Sequence, residues 1–599
     1  MEQRNLIVAM VLMAVIWVTY FAFFAPQTPP PEEAPAQTQQ PQQPAQDGTA
    51  PAPAGTAAVQ PATMDRAAAL KQSPRVRIES PRISGSIALK GGRIDDVVLT
   101  DYHEKVDPKS PKVVLLSPPS ALSPEGVPIG YFAETGWRGN GVKVPDHESL
   151  WQADRDVLTP ETPVTLTWDN GAGLKFTRMF SLDADYMFTV RQRVENTGTM
   201  PVTLTPSANV LRSGTPKLEG FYILHEGFIG IIQNEVKEAD YSELQEEKLQ
   251  SFESPGGWVG ITDKYWLAAV VATGNQQIKA EYLHSLQNNI DVYEARYFAP
   301  EVTAAPGGSA EATSKIFAGA KEVKLLEKYA QGDAPPRGFF GSIWAFFSAE
   351  QSMAENAVPR FDFAVDWGYF RFLTKPIFWV LDWLFAAVGN FGIAILILTV
   401  MVKLLFFPLA NKSYRAMSKM KLLTPQMQVL RERFPDDKAR LNQEMMALYK
   451  REKVNPAAGC LPIIVQIPVF FALYKVLFIT IEMRHAPFYG WIRDLSAPDP
   501  TTWVNLFGLL PYTVPDLGFL SILSIGVWPI IMGVTMFLQQ KINPPPPDPV
   551  QARMFMMLPI VFTFMLGQFA AGLVIYWAWN NLLSIAQQWV IMRRVAVAK

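Results

Sequence analysis

Residues 392–410, GIAILILTVMVKLLFFPLA, are apolar along nearly their whole length and carry one ionisable side chain, Lys403. Such a run reads as a membrane-spanning helix, and no other feature constrains the chain as much, because in hydrocarbon the backbone must satisfy its own hydrogen bonds. A lysine at the centre of a bilayer helix costs about 2.5 to 3.5 kcal/mol on insertion scales, so such residues usually face a bundle interior or water. Thr399 lies four residues earlier and shares that helical face. Two readings stand at this point: a wet cavity in front of Lys403 and Thr399, or a flexible lysine stem that snorkels past Pro408 to the nearer interface.

A formal charge of -2 over 599 residues argues against a protein dominated by phosphate neutralisation, and apolar residues concentrate at the start and after about residue 370. The single cysteine, Cys460, excludes an intramolecular disulfide and a cysteine-cluster metal site. The five histidines show no metal-ligand spacing, and neither GxxxxGK[ST] nor GxSxG occurs. No cofactor, metal or nucleotide is therefore expected, and no enzyme chemistry.

Residues 1–25 contain an uncharged run long enough to span a membrane, with Pro26 where a signal-peptide cleavage site would want small residues, so they read as an uncleaved anchor. Residues 26–75, rich in Pro, Gln and Ala, read as a disordered linker. Residues 76–325 change to short alternating runs broken by Asp-Asn-Gly and Asn-Thr-Gly turns, the pattern of an antiparallel β-sandwich. Residues 326–390 read as a linker ending in an amphipathic interfacial helix over 367–387, where Lys375 and Asp382 interrupt the apolar run.

From residue 412 to 453 eleven Lys or Arg face five acids, the mark of a short cytoplasmic loop. Apolar residues recur every three or four positions and predict a helical hairpin over 411–455, with Asp436 or Asp437 capping its second helix and Thr424-Pro425 kinking or restarting its first. Its Met417, Met420, Met427 and Met445 either zip the two helices together or form an adaptable surface for varied apolar segments. Four more apolar stretches follow, at about 459–481, 519–539, 554–570 and 572–592. With the basic hairpin inside, both termini fall in the cytoplasm and the β domain outside, and six spans satisfy the charge rule.

Polar residues recur inside these spans. Gln466 lies in the third, and in the last Trp577, Asn581, Ser584 and Gln588 share one face, with Asn580 and Gln587 adjoining. They are either interhelical glue, worth roughly 0.6 kcal/mol each, or the lining of a shared hydrated groove.

The stretches NKSYRAMSKMKLLTPQMQVLRERFPDDKARLNQEMMALYKREKVNPAAGCLPIIVQIPVFFALYKVLF, APFYGWIRDLSAPDP, IMGVTMFLQQKINP and LPIVFTFMLGQFAAGLVIYWAWNNLLSIAQQ closely resemble the YidC family of bacterial membrane protein insertases. The resemblance runs over about residues 360–592, and the uncleaved first span and large periplasmic domain match the Gram-negative type. It implies a polytopic α-helical membrane protein of the inner membrane, with six spans, five of them forming the groove-containing insertase core 391–599. The family's positive groove residue falls on Lys403, its threonine on Thr399, its glutamine on Gln466, and its final-span positions on Tyr576, Trp577 and Asn580. One departure is that the bacterial members compared have arginine where this chain has Lys403. The resemblance also implies partners: nascent membrane proteins, ribosomes, the Sec translocon and membrane lipids.

Two rival functions remain open at this level. A secondary transporter would use Lys403 as a substrate or proton site, although no internal repeat of the transporter kind is visible. A membrane-anchored glycan-processing or scaffold protein would place its function in the β domain.

Overall fold

A computed structural model describes residues 64–219, 224–334, 341, 354, 356–368, 370–435, 437–454, 461–510, 524–543 and 549–597. The expected anchor, residues 26–63 of the linker, Asp436 and Cys460 lie outside these residues. The chain divides into two compact units, with the boundary between residues 366 and 367.

The first unit is the β-sandwich. Eighteen strands, from Arg75–Glu79 to Ser309–Ala320, join in one hydrogen-bonded order that is almost entirely antiparallel. Period-two patterning explains the layering: in Leu174–Leu182 every second side chain is buried, and Phe176 and Phe180 face Val194 and Val190 of Met187–Asn196 across the ladder. Two tight hairpins use asparagine-containing pairs with positive φ, Gln233-Asn234 and Asn288-Asn289, whose left-handed conformation matches the twist of the strands they join.

Folded structure begins earlier than composition implied. Met64–Asp65 pairs in parallel with Ala121–Leu122, and helix α1 (Arg66–Leu70) is capped by Asp65, whose Oδ1 accepts from the Ala68 N–H at 2.8 Å. Arg66 ion-pairs with Asp96, so a charged residue inside the Ala-rich stretch anchors it to the sandwich. The far boundary shifts in the same way. After α2 (Tyr241–Glu247) and α3 (Val323–Gln331), part of the expected linker returns to the sheet. Phe361 is fully buried there, its ring 5.1 Å from both Trp258 and Phe317. Apolar burial at single positions overrides a locally loop-like composition.

The second unit is helical: α4 (Arg371–Val388), α5 (Phe391–Leu405), α6 (Phe407–Arg433), α7 (Lys438–Arg451), α8 (Leu461–Ile479), α9 (Val527–Ile542), α10 (Pro549–Leu566) and α11 (Ala571–Val597). Among the described residues no single helix is long and apolar enough to cross a membrane, whereas α5 and α6 taken together reach the length and composition of a span, bent by 69° at their junction. The expected continuous helix over 392–410 is therefore corrected. Asn390 caps α5 by accepting from the Ile393 N–H, and α5 ends at Leu405 because Pro408 has no N–H to continue the ladder but is well suited to the first turn of α6.

The hairpin over α6 and α7 forms with Asp437 as cap, its Oδ1 2.9 Å from the Arg440 nitrogen. Thr424-Pro425 does not restart the first helix, which runs through it. Leu423 and Met427, on either side of that proline, both pack into the seam with Met445, Leu448 and Tyr449 of α7, and this burial offsets the lost backbone bond.

Candidate functional site

Lys403 occupies the last turn of α5, not the middle of a longer helix. Lys403 Nζ donates to Ser584 Oγ of α11 at 2.6 Å, and Ser584 Oγ donates to the Asn580 carbonyl at 2.8 Å. The Tyr414 phenol of α6 interacts with the same hydroxyl, so three helices meet at one serine. Among the described residues no carboxylate forms an ion pair with Lys403. An ammonium has three donors, and this bond uses one.

The other expected residues divide around this centre. Thr399 is buried, and its hydroxyl donates to the Ile395 carbonyl one turn back at 2.7 Å. It shares the lysine's helix but does not touch it through a hydrogen bond. Trp579 Nε1 donates to the Leu396 carbonyl at 3.2 Å and holds α11 against α5. Tyr576 and Asn580 are buried on α11. Trp577 meets Phe470 of α8 edge to face, with ring centroids 4.7 Å apart. Half-buried Gln466 lies one turn before that phenylalanine.

The polar face of α11 serves two neighbours. Ser584 goes to Lys403, whereas Asn581 Nδ2 donates to Thr535 Oγ1 of α9 at 3.3 Å and Gln588 Nε2 to Asn543 Oδ1 just past α9 at 2.9 Å. Each of these bonds ties α11 to a neighbouring helix, as interhelical glue does. Ser584 stands out as a functional candidate only through its partner; a serine in a polar stripe carries no sequence signal that separates glue from site, and Tyr414 is indistinguishable in sequence from the apolar stripe of the hairpin.

The methionines of the hairpin are placed by packing. Met427 and Met445 are buried in the α6–α7 seam with Met420 against it, and Met417 packs with Tyr414 and Ile591 of α11. Their side chains zip helices together; the exposed apolar side chains of the hairpin are instead Leu422, Val429 and Met446.

Two family profiles together cover both units: one described as 60Kd inner membrane protein over residues 383–598, the other as YidC periplasmic domain over residues 75–380. A membrane protein insertase YidC from Bradyrhizobium diazoefficiens is 48% identical, covering 100% of this chain and 97% of its own length. Another from Methylobacterium radiotolerans is 50% identical over 92% of this chain and 85% of its own. Among solved structures, an active YidC insertase with its first transmembrane domain resolved is 15% identical, with a TM-score of 0.34 over 86% of this chain and 92% of that one. With a relative nearly half identical along its full length, the chain belongs to the YidC family of membrane protein insertases.

Proposed function

We propose that this protein inserts nascent proteins into the bacterial inner membrane and helps them fold, and that Lys403 is the polar contact for the part of the substrate that must cross. The observation that carries the reading is the state of Lys403: a half-buried ammonium held by one neutral hydroxyl, with donors left over and no acidic partner among the described residues. An acidic side chain in a substrate tail supplies that partner through a charge-assisted hydrogen bond. Gln466, Trp577 and the α11 backbone around Asn580 complete the surface that the tail meets, with Thr399 and Tyr576 buried behind it.

The driving force comes from the substrate. An apolar segment of about twenty residues at roughly -0.3 to -0.6 kcal/mol each gains about 6 to 12 kcal/mol on entering the bilayer. The protein has to lower only the cost of moving the polar tail, which a cation in a sheltered site does by pairing with it. The bent pair of α5 with the start of α6, and the apolar helices α8, α9, α10 and α11, are read as the five spans of the core, with both chain termini and the hairpin cytoplasmic and the β-sandwich periplasmic. The basic hairpin is the surface read for ribosomes and anionic lipid headgroups, and cooperation with the Sec translocon belongs to the same proposal.

The test is insertion into reconstituted vesicles of two substrates that share one apolar segment and differ in whether the tail carries acidic residues. Lys403→Ala is expected to slow the acidic-tailed substrate by about tenfold, the value of one charge-assisted hydrogen bond, and the uncharged one far less. Equal loss for both would remove the electrostatic role.

A further inference from the structure

Lys421 of α6, Lys541 of α9 and Arg593 of α11 line a pocket of about 540 Å³ together with the apolar side chains of Leu538, Ile585 and Trp589, which are taken below as its floor. Each of the three cations meets an aromatic ring or a backbone carbonyl. The Arg593 guanidinium sits 3.9 Å over the Trp589 ring, the Lys541 ammonium lies 5.2 Å from the Phe537 ring centre, and Lys421 Nζ donates to the Ile542 carbonyl at 3.4 Å. Among the described residues none of the three forms an ion pair. Leu538 and Trp589 are each about half exposed, so the floor presents apolar surface beside unneutralised positive charge.

Size and chemistry narrow the occupant. A free anion would use the cations and leave the apolar floor wet, and an apolar peptide would use the floor and leave the cations idle. A helix about 10 to 12 Å across would fill 540 Å³ in roughly one turn, too little to hold an acidic amphipathic helix along its length. A headgroup phosphate with the first part of an acyl chain uses both surfaces, and the arginine stacked on a tryptophan is the arrangement of an aromatic belt at a membrane interface. We propose that this pocket binds a membrane phospholipid with an anionic headgroup, the phosphate held among Lys421, Lys541 and Arg593 and an acyl chain laid along Leu538, Ile585 and Trp589.

The test uses full-length protein in nanodiscs of dioleoylphosphatidylglycerol mixed with dioleoylphosphatidylcholine, with the lipid that stays bound on release read by native mass spectrometry. Wild type is expected to retain phosphatidylglycerol selectively. Each cation near an anionic lipid contributes about a fivefold factor, so the triple variant Lys421→Gln, Lys541→Gln, Arg593→Gln should lose roughly hundredfold in selectivity. The charge-matched control Arg431→Gln, Arg433→Gln, Arg451→Gln removes only the diffuse headgroup attraction of the hairpin and should cost no more than a few fold in selectivity; a loss equal to that of the triple pocket variant would reduce the effect to general surface charge and overturn the site. Ile585→Trp, which fills the floor and keeps the cations, should also displace the lipid, and it stands in if the triple variant fails to fold. Unchanged lipid retention in both pocket variants would overturn the proposal, and so would a triple variant that keeps its lipid but loses photocrosslinks to acidic nascent chains, which would make the pocket a peptide site.

Discussion

Lys403 and Ser584 form a pair whose two members do different work. On the proposed reading the serine positions the ammonium through its hydrogen bond, and the ammonium supplies the charge that meets the substrate. Ser584→Ala should therefore leave insertion of an acidic-tailed substrate less impaired than Lys403→Ala, while lowering thermal stability by about 1 to 3 kcal/mol, because the Lys403 ammonium loses its acceptor. Lys403→Arg should retain activity and Lys403→Gln should not, in the same vesicle assay, since the site needs a cation more than it needs a particular donor geometry. In the β-sandwich a separate pair sets a pH dependence. Burial opposes the charge of His225, but Nδ1 lies 3.3 Å from Asp240 Oδ1 and Nε2 is 2.7 Å from the Phe228 carbonyl, and the net result is a pKa above the ordinary 6.5. The hydrogen bond from His225 holds Asp240 below its ordinary 3.8. The histidine's share of stability is whole below pH 6.5 and is lost as pH rises through its raised folded-state pKa; the aspartate's share is present above pH 3.8 and is lost as pH falls through its depressed one. In His225→Gln the melting of the β unit should lose this decline above pH 6.5, and an unaltered decline would assign it to other groups.

Among the elements, α9 shows how remote residues define an apolar helix. The entry to α9 is capped from a loop nearly thirty residues away: Asp499 Oδ2 accepts from the Trp528 N–H at 2.9 Å, and Thr501 Oγ1 accepts from the Val527 N–H at 3.1 Å. Asp499 Oδ1 also accepts from Trp491 Nε1 at 3.0 Å, so one carboxylate ties the loop to the helix start. Asp499→Ala should cost about 1 to 2 kcal/mol and speed amide exchange in the first turn of α9 while leaving α11 protected; uniform exchange along both helices would mean a global effect instead. Period-two alternation revealed the strands, and the three-to-four residue stripe revealed the hairpin, because both patterns are written within one element. The break at Phe406 was also written locally, in Pro408, yet hydropathy alone ran the helix through it.

At the scale of the molecule, the sandwich and the helical unit are separate compact bodies, each with its own core. Insertion is assigned to the helical one, so removing residues 76–325 should leave acidic-tailed substrates inserting at a rate within a few fold of the full chain, and abolition would move the function into the sandwich. The sequence by itself determined the order of the parts: an apolar start, a strand-rich domain, a basic hairpin and a series of apolar helices with a lysine among them. It also determined the family, through motifs spread across the helical part. Only the tertiary structure decided which side chain Lys403 meets, how the polar face of α11 is shared between α5 and α9, that Met427 and Met445 are seam residues of the hairpin while Met417 packs on α11, and that residues 64–75 and 356–364 belong to the sandwich. Periodicity states which face of an element is polar or apolar and is silent on which neighbour that face will meet. That choice is made by packing between residues far apart in the chain, as Lys403 and Ser584 are, and no local pattern encodes it.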